Sequence, residues 1–339
     1  MGNTIWYGLK RFPLRLGLIF FLPVIIVGFA QLLSLLFARI RQPRVIAEVI
    51  GGVLLGPTVM GRIPNFTNTI FPATSIHLLT LTSTIGLVFF LFIIGIEIDM
   101  SLLKRNARAS LAISATGLII PLGLGAALAI PIYNNFADAG VKYGYFILFV
   151  AVAVGITAFP VLCRILTETR LLDTTVGILA LSAGIGNDVV GWVLLALTVA
   201  LVNASTGLVA LYVLLTGIGY SIVLLFPGKW AFRWLARRTG SLEKGEPTAF
   251  VMTVTLVLVI MSAFFTDIIG IHPIFGHYLL LSFDTLLIYV FLGGFLAGLI
   301  IPKDNGFAIS VVEKMEDFIC LLLLPQVMAL IFLYSLHGS

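Results

Sequence analysis

Apolar segments of about 20 residues recur along this chain, and they constrain its fold more than any other feature. A helix of that length crosses the hydrocarbon core of a bilayer, which is about 30 Å thick. The 339 residues include 60 % hydrophobic side chains and only 10 % charged ones. Soluble domains carry about 25 % charged residues, so this chain has too few charges to cover a water-exposed surface. The sequence predicts an all-α polytopic membrane protein and excludes a cytosolic enzyme, a secreted module and a disordered chain.

The apolar segments predict a single transmembrane domain that extends over residues 1–339. Long runs rich in Leu, Ile, Val and Ala disfavour a β-barrel, whose strands would show short alternating segments. The first run lacks a small-residue cleavage site, so we interpret it as a helix and not as a signal peptide. The ten predicted helices are approximately 16–38, 45–60, 77–98, 109–132, 143–166, 174–202, 206–227, 248–268, 278–300 and 309–336.

The basic residues are distributed unevenly between the two sides of the predicted membrane. Of the 20 lysines and arginines, 15 lie in or beside the loops that follow predicted helices 1, 3, 5, 7 and 9. The positive-inside rule places these loops in the cytoplasm and the N-terminus outside. This clustering also explains the net charge of +5 without a nucleic-acid partner. The lipid bilayer is the partner that the composition predicts.

One carboxylate, Asp188, lies inside an apolar segment with at least 14 residues on each side that carry no other charge. A charge at the centre of a bilayer costs about 2.5–3.5 kcal/mol on insertion scales, so such a residue faces protein or a water-filled cavity. An ionised carboxylate binds a small cation, and a neutral one holds a proton. Because burial favours the neutral form, the two ligands compete for the same group. We therefore predict a transport site at Asp188; a structural Asp paired with backbone or with a basic residue is the alternative.

A second signal is the segment Gly155 to Pro160, GITAFP, inside the fifth predicted helix. Proline in a helix interior removes a backbone hydrogen bond and clashes with the preceding turn, so we expect an unwound stretch that includes Ala158 and Phe159. Unwound backbone at membrane depth is tolerated only against protein or a water-filled cavity, and broken helices hold the ion sites of secondary transporters. Thr157 is a candidate ligand through its hydroxyl or a freed carbonyl. A simple proline kink is the alternative.

Four further polar residues are accessory candidates. Glu48 either packs against a neighbouring arginine or takes part in the site, and Arg164 either counters the buried carboxylate or caps its own helix. Asp267 and His272 lie near an outer helix end, where a structural role is the simpler interpretation. The glycine-rich pieces GGVLLG and GGFLAG are predicted close-packing surfaces. No pattern indicates a cofactor, a catalytic triad or a metal centre other than a site for a transported monovalent cation.

Four segments carry a resemblance to a known family: RQPRVIAEVIGGVLLGPTVMGR, GLVFFLFIIGIEIDMSLLKRN, GITAFPVLCRILTETRLL and LSAGIGNDVVGWVLLALTVALVNA. Together they resemble the monovalent cation:proton antiporters from about Ile40 to Leu324, and most of all the fungal K⁺/H⁺ antiporters and plant cation/H⁺ exchangers. The resemblance implies a sodium/proton-exchanger-type fold with inverted repeats and broken helices, and exchange of K⁺, in preference to Na⁺, for H⁺ by alternating access. It also implies that Asn187, which hydrogen-bonds or ligates the cation, belongs to the site of Asp188. The broken helix at Thr157 then forms one arm of a crossing.

Two departures from the family pattern change what the resemblance implies. Residues 277–293 interrupt a family stretch that resumes at Gly294, and residues 326–339 replace the family's continuation. The second crossing helix is then missing, and the fold is incomplete at the C-terminus. An inactive or regulatory membrane fragment is accordingly the alternative function. The expected location is an endomembrane of Golgi type or the plasma membrane, and the sequence leaves a homodimer open.

The insertion at 277–293 is mostly apolar, so we expect it to lie within a single span built mainly from residues 278–300. That arrangement displaces His272 into an outer loop and brings Asp284 into the membrane. An acid without a partner at that depth lowers stability. The sequence therefore predicts that the insertion destabilises the fold.

Overall fold

The computed structural model of the chain describes residues 22–40, 42–98, 107–136, 142–157, 159–171, 174–203, 208–271 and 293–334. All regular elements within these ranges are helical, which confirms the all-α prediction. Five helices in the described ranges are long and apolar enough to cross a membrane, as judged by length and composition. The architecture thus agrees with a polytopic membrane protein.

The described helices up to residue 203 run from five to 30 residues in length. They are α1 (Leu22–Ala38), α2 (Arg44–Leu55), α3 (Phe66–Ile70), α4 (Ala73–Glu97), α5 (Ala107–Phe136), α6 (Tyr143–Gly155), α7 (Phe159–Glu168) and α8 (Thr175–Asn203). The predicted helices 45–60, 77–98, 109–132 and 174–202 correspond to α2, α4, α5 and α8, with ends that differ by a few residues. The predicted helix 16–38 corresponds to α1, and its first six residues lie outside the described ones. The predicted helix 143–166 is divided into α6 and α7.

The second part of the chain is less regular. Its elements are α9 (Leu208–Val223), a π-helical turn (Leu224–Gly228), α10 (Lys229–Arg238), α11 (Ser241–Lys244), α12 (Ala249–Ile271), α13 (293–299), α14 (Phe307–Glu313), α15 (Glu316–Phe318), a second π-helical turn (Ile319–Leu323) and α16 (Leu324–Tyr334). Most of the predicted helix 278–300 and of the insertion lies outside the described residues.

Two further predicted helices differ from the structure. The predicted helix 206–227 continues to Arg238, because a π-helical turn accommodates Pro227 and the basic segment after it is also helical. The prediction of one helix over 309–336 is wrong, since Met315 leaves the helical conformation with φ −122° and separates α14 from α15. The sequence EKMED at this point places four charges between two apolar stretches. Those charges favour a turn over continued helix in an apolar environment.

The helices pack in two groups that are joined by α7 and also by α9, which contacts α8 and α12. In the first group, α8 packs against α5, α6 and α7, and α5 also packs along α6. In the second group, α4 packs against α12, α14 and α16, and α16 also packs against α2. Helix α7 contacts both α2 and α4. Residues on α8 that face α5, α6 or α7 therefore lie inside the protein and not against lipid.

Helices α4 and α13 approach each other along glycines, and we call this contact the glycine seam. A Cβ atom on Gly298 would meet the carbonyl oxygen of Phe92 and the Cα of Gly95, so no side chain fits there. A Cβ on Gly294 would lie 2.6 Å from the carbonyl oxygen of Val88. The seam confirms that GGFLAG is a close-packing surface, since small residues allow backbones in membrane helices to approach closely.

Candidate ion-binding site

The predicted break in the fifth helix is present. Helix α6 ends at Gly155, and Ile156 has the extended dihedral angles φ −70° and ψ 133°. Helix α7 begins at Phe159, so the expectation that Phe159 is unwound is wrong, because Pro160 falls in the first turn of a helix, where a missing N–H is tolerated. Because Pro160 has no N–H, the carbonyl of Ile156 has no partner four residues ahead. The break therefore offers a backbone oxygen beside Thr157, while Ala158 lies outside the described residues.

The buried carboxylate and the break come together. Asp188 on α8 is only 4 % exposed, and Thr157 Oγ1 donates a hydrogen bond to its Oδ1 over 3.2 Å. The sequence places Asp188 as the sole charged residue of α8. The carboxylate and the hydroxyl are oxygen groups of the kind that suits a small hard cation, and both lie at the helix break. The carboxylate also offers a protonation site, so this arrangement can hold either ligand.

Asn187 faces a different helix from its neighbour. The hydroxyl of Ser114 on α5 donates a hydrogen bond of 2.6 Å to Asn187 Oδ1, and both side chains are buried. Sequence reasoning missed Ser114. The available signal was the placement of Ser114 and Gly117 three residues apart, which puts a hydroxyl and a close-packing glycine on one face of a helix. The two residues of the Asn-Asp pair are therefore held by separate elements, Asn187 by α5 and Asp188 by the break.

Two of the accessory candidates form a buried ion pair. Both terminal nitrogens of Arg164 on α7 donate to the carboxylate of Glu48 on α2, at 2.7 and 2.6 Å. The two side chains are 6 % and 1 % exposed. Sequence reasoning treated these residues separately and gave Arg164 other roles. The structure instead places the guanidinium where it ties the helix after the break to α2.

A charged cavity of about 170 Å³ lies beside α7. Three carboxylates and two guanidinium groups line it, including those of Glu97, Glu316 and Arg164. Neither Asp188 nor Thr157 is among the lining residues. The cavity therefore adjoins the helix that follows the break but does not contain the candidate ion site.

Among the described residues, no hydrogen bond or ion pair joins the remaining candidate Asp267 to this site. Asp267 lies near the end of α12, and its Oδ1 is buried without a hydrogen bond to any group that the structure describes. His272 lies outside the described residues. The grouping that the structure does establish is Asp188 with Thr157 and Asn187 with Ser114.

Comparison with known proteins gives a consistent assignment. Residues 22–280 match the family model described as sodium/hydrogen exchanger, transmembrane. The K⁺/H⁺ antiporter 1 of Saccharomyces cerevisiae is 39 % identical over 316 residues, which is 91 % of this chain and 34 % of that protein. Cation/H⁺ antiporter 20 of Arabidopsis thaliana is 39 % identical over 334 residues, 96 % of this chain and 38 % of that protein. The Na⁺/H⁺ antiporter NhaS4 of Synechocystis is 34 % identical over 314 residues, 92 % of this chain and 71 % of that protein.

The chain spans about a third of the length of the yeast and plant relatives, and 71 % of the cyanobacterial one. All three relatives are named as cation/proton antiporters. The proteins that this chain resembles are thus transporters and not enzymes.

Proposed function

The chain belongs to the sodium/hydrogen exchanger family, and on that premise we propose that it exchanges a monovalent cation for a proton across a membrane. We propose K⁺ in preference to Na⁺, since the yeast relative at 39 % identity is named a K⁺/H⁺ antiporter. We propose an endomembrane of Golgi type or the plasma membrane as its location, which imaging of a tagged chain tests. The mass of the purified protein in detergent distinguishes a monomer from the homodimer that the sequence left open.

The hydrogen bond between Thr157 and Asp188 is the single observation that carries the proposal. It joins a buried carboxylate to a helix break, across 31 residues of sequence. A buried structural carboxylate needs only a donor, and a continuous helix would satisfy its own backbone. A non-helical stretch beside a buried carboxylate offers additional oxygen groups to a cation. Structural stability alone does not require such a stretch.

The proposed cycle follows from competition at one group. In the ionised state the Asp188 carboxylate binds the cation, assisted by the Thr157 hydroxyl oxygen and the carbonyl of Ile156. In the protonated state the carboxyl is neutral and releases the cation, because the charge that held it is gone. Alternating access, in which the site opens to one side at a time, then couples the outward passage of one ligand to the inward passage of the other.

Transport in proteoliposomes tests this function. The full chain is reconstituted, a pH gradient is imposed, and an internal pH-sensitive dye is followed while K⁺ or Na⁺ is added outside. Saturable, cation-dependent proton movement is expected, and Asp188→Asn is expected to abolish it. Asp304→Asn is the matched control, because it makes the same chemical change at a carboxylate that is 43 % exposed.

Three other results would contradict the proposal. Exchange by Asp188→Asn at the rate of the unmodified chain would show that this carboxylate is not the shared site. A conductive flux without coupling to protons would indicate a channel. Absence of any cation or proton transport by the folded, unmodified chain would favour the alternative function, an inactive or regulatory membrane fragment.

A further inference from the structure

We propose that Ser114 is a positioning residue of the ion site, which acts through Asn187 to aim Asp188 at the helix break. This inference rests on the proposed function, since it concerns the same carboxylate. The hydroxyl of Ser114 lies 2.6 Å from Asn187 Oδ1 and donates to it. Ser114 itself is on α5, which contributes neither Asp188 nor Thr157.

The geometry of consecutive helical residues makes this contact consequential. Neighbouring side chains on an α-helix point about 100° apart around the axis. Asn187 is held from one direction by α5, and Asp188 is held from another by Thr157. Two attachments at different angles fix the rotation of α8 about its own axis. Loss of the attachment at Asn187 removes the constraint from the side of α5.

The packing of α5 on α8 is built around this contact. A Cβ on Gly186 would lie 2.9 Å from Ser114 Oγ, and a Cβ on Gly117 would lie 3.3 Å from Asn187 Nδ2. Glycine on each helix thus leaves space for the hydroxyl and for the carboxamide. The side chains that carry the hydrogen bond would be displaced if either glycine were larger.

Loss of the hydroxyl has a defined consequence. Asn187 is only 9 % exposed, so bulk water is a poor replacement for the lost donor. A buried acceptor without a donor is unfavourable, so the Asn187 carboxamide turns towards another donor and the hold of α5 on the position next to Asp188 is lost. Cation binding by the ionised carboxylate requires the oxygen partners to be in place around the cation, so the binding affinity falls. The rate of the opening movement does not depend on this contact and changes less. We therefore expect weaker cation binding with a nearly unchanged maximal rate.

The experiment compares two serines of α5 in the reconstituted full chain. Ser114→Ala is expected to raise the cation KM by roughly fivefold to tenfold, as for loss of one buried hydrogen bond, with kcat within about twofold. Its pH profile shifts as well, because a weaker cation competes less well with the proton. Ser114→Thr keeps the hydroxyl and is expected to restore both values. Ser110→Ala is the control, since Ser110 is buried on the same helix and its Oγ has no hydrogen-bond partner among the described residues.

Several outcomes overturn the inference. Equal behaviour of Ser114→Ala and Ser110→Ala, or a fall in kcat at constant KM, would assign Ser114 a structural role only. If Ser114→Ala is not recovered in folded form, Gly186→Ala decides, because the added methyl displaces the same hydroxyl; an unchanged KM there overturns the inference too. The variant Asp188→Asn distinguishes failure of this inference from failure of the proposed function. If Asp188→Asn does not exchange cations for protons while Ser114→Ala has the KM of the unmodified chain, only this inference fails. If Asp188→Asn still exchanges, the proposed function fails and this inference fails with it.

Discussion

Arg164 donates two hydrogen bonds to the Glu48 carboxylate, and this contact joins α7, the helix that follows the break, to α2. The two residues are 116 positions apart in the sequence and are both buried. Because α2 also packs against α16, the pair connects the helices around Asp188 to the second packing group. Substitution of this pair therefore tests how strongly the contact holds the two packing groups together.

Glu48→Gln is expected to lower the free energy of unfolding, by up to about 3–5 kcal/mol, because it removes the carboxylate that accepts both hydrogen bonds of the buried Arg164. Thermal unfolding in detergent measures the change. Asp304→Asn, which removes the partner of Arg233, is the control. That pair is more than 40 % exposed on both sides, and exposed pairs contribute about 0–1 kcal/mol. Equal losses in the two variants would contradict the importance of burial.

Thr157→Ala is expected to raise the cation KM by roughly fivefold, because it removes the hydroxyl that contacts Asp188. Thr157→Ser retains that hydroxyl and is expected to behave as the unmodified chain. Proteoliposome exchange at a series of cation concentrations provides the measurement. Thr116→Ala serves as the control, since the Thr116 hydroxyl bonds only within its own exposed turn of helix. A KM that does not respond to the hydroxyl at position 157 would exclude Thr157 from the site.

Gly298→Ala is expected to lower the free energy of unfolding by about 1–3 kcal/mol, as for overpacking elsewhere. The added Cβ would meet the carbonyl oxygen of Phe92 at the glycine seam. Gly219→Ala is the matched change on α9, where nothing lies within 4 Å of the added atom. There the substitution is expected to stabilise by about 0.5–1 kcal/mol through helix propensity. Unfolding curves of both variants in one detergent test the contrast, and a loss at Gly219 as large as at Gly298 would refute it.

A version without residues 277–293 is expected to be more stable than the intact chain. The deletion joins Gly276 to Gly294 and removes Asp284 from the predicted span, where an acid costs about 2.5–3.5 kcal/mol. Size-exclusion chromatography after stepwise heating in detergent measures the difference. Should the intact chain survive higher temperatures than the shortened one, the segment is a genuine structural element.

The break and the buried acid could be predicted because each is written in a short stretch of sequence. Pro160 in an apolar segment predicts an interrupted helix by its own chemistry, and Asp188 stands out because no other charge is near it. The expected interruption between Gly155 and Pro160 is present at Ile156 and Thr157, although Phe159 is already helical. The assignment of transport roles to Asp188, Asn187 and Thr157 stays a prediction.

The partners of Arg164 and Asn187 could not be predicted in the same way. Each contact depends on which faces of two distant helices meet, and the sequence separations are 116 and 73 residues. Apolar residues surround these positions on all sides, so hydrophobic periodicity does not mark the inward face of a fully embedded helix. The single helix expected over 309–336 failed for another reason: the turn at Met315 lies inside a short charged stretch that hydropathy averages over.

The glycine seam also has a mechanical consequence. Helices that pack through side chains can slide past one another by small shear movements. Between α4 and α13 the backbones meet directly at Gly294 and Gly298. The Lys303 ammonium also donates a hydrogen bond of 2.6 Å to the carbonyl oxygen of Ile98, the residue that follows α4. The two helices are therefore expected to behave as one stiff beam. A movement that exposes Asp188 first to one side of the membrane and then to the other would then move the other helices relative to this pair, and α4 and α13 would not separate.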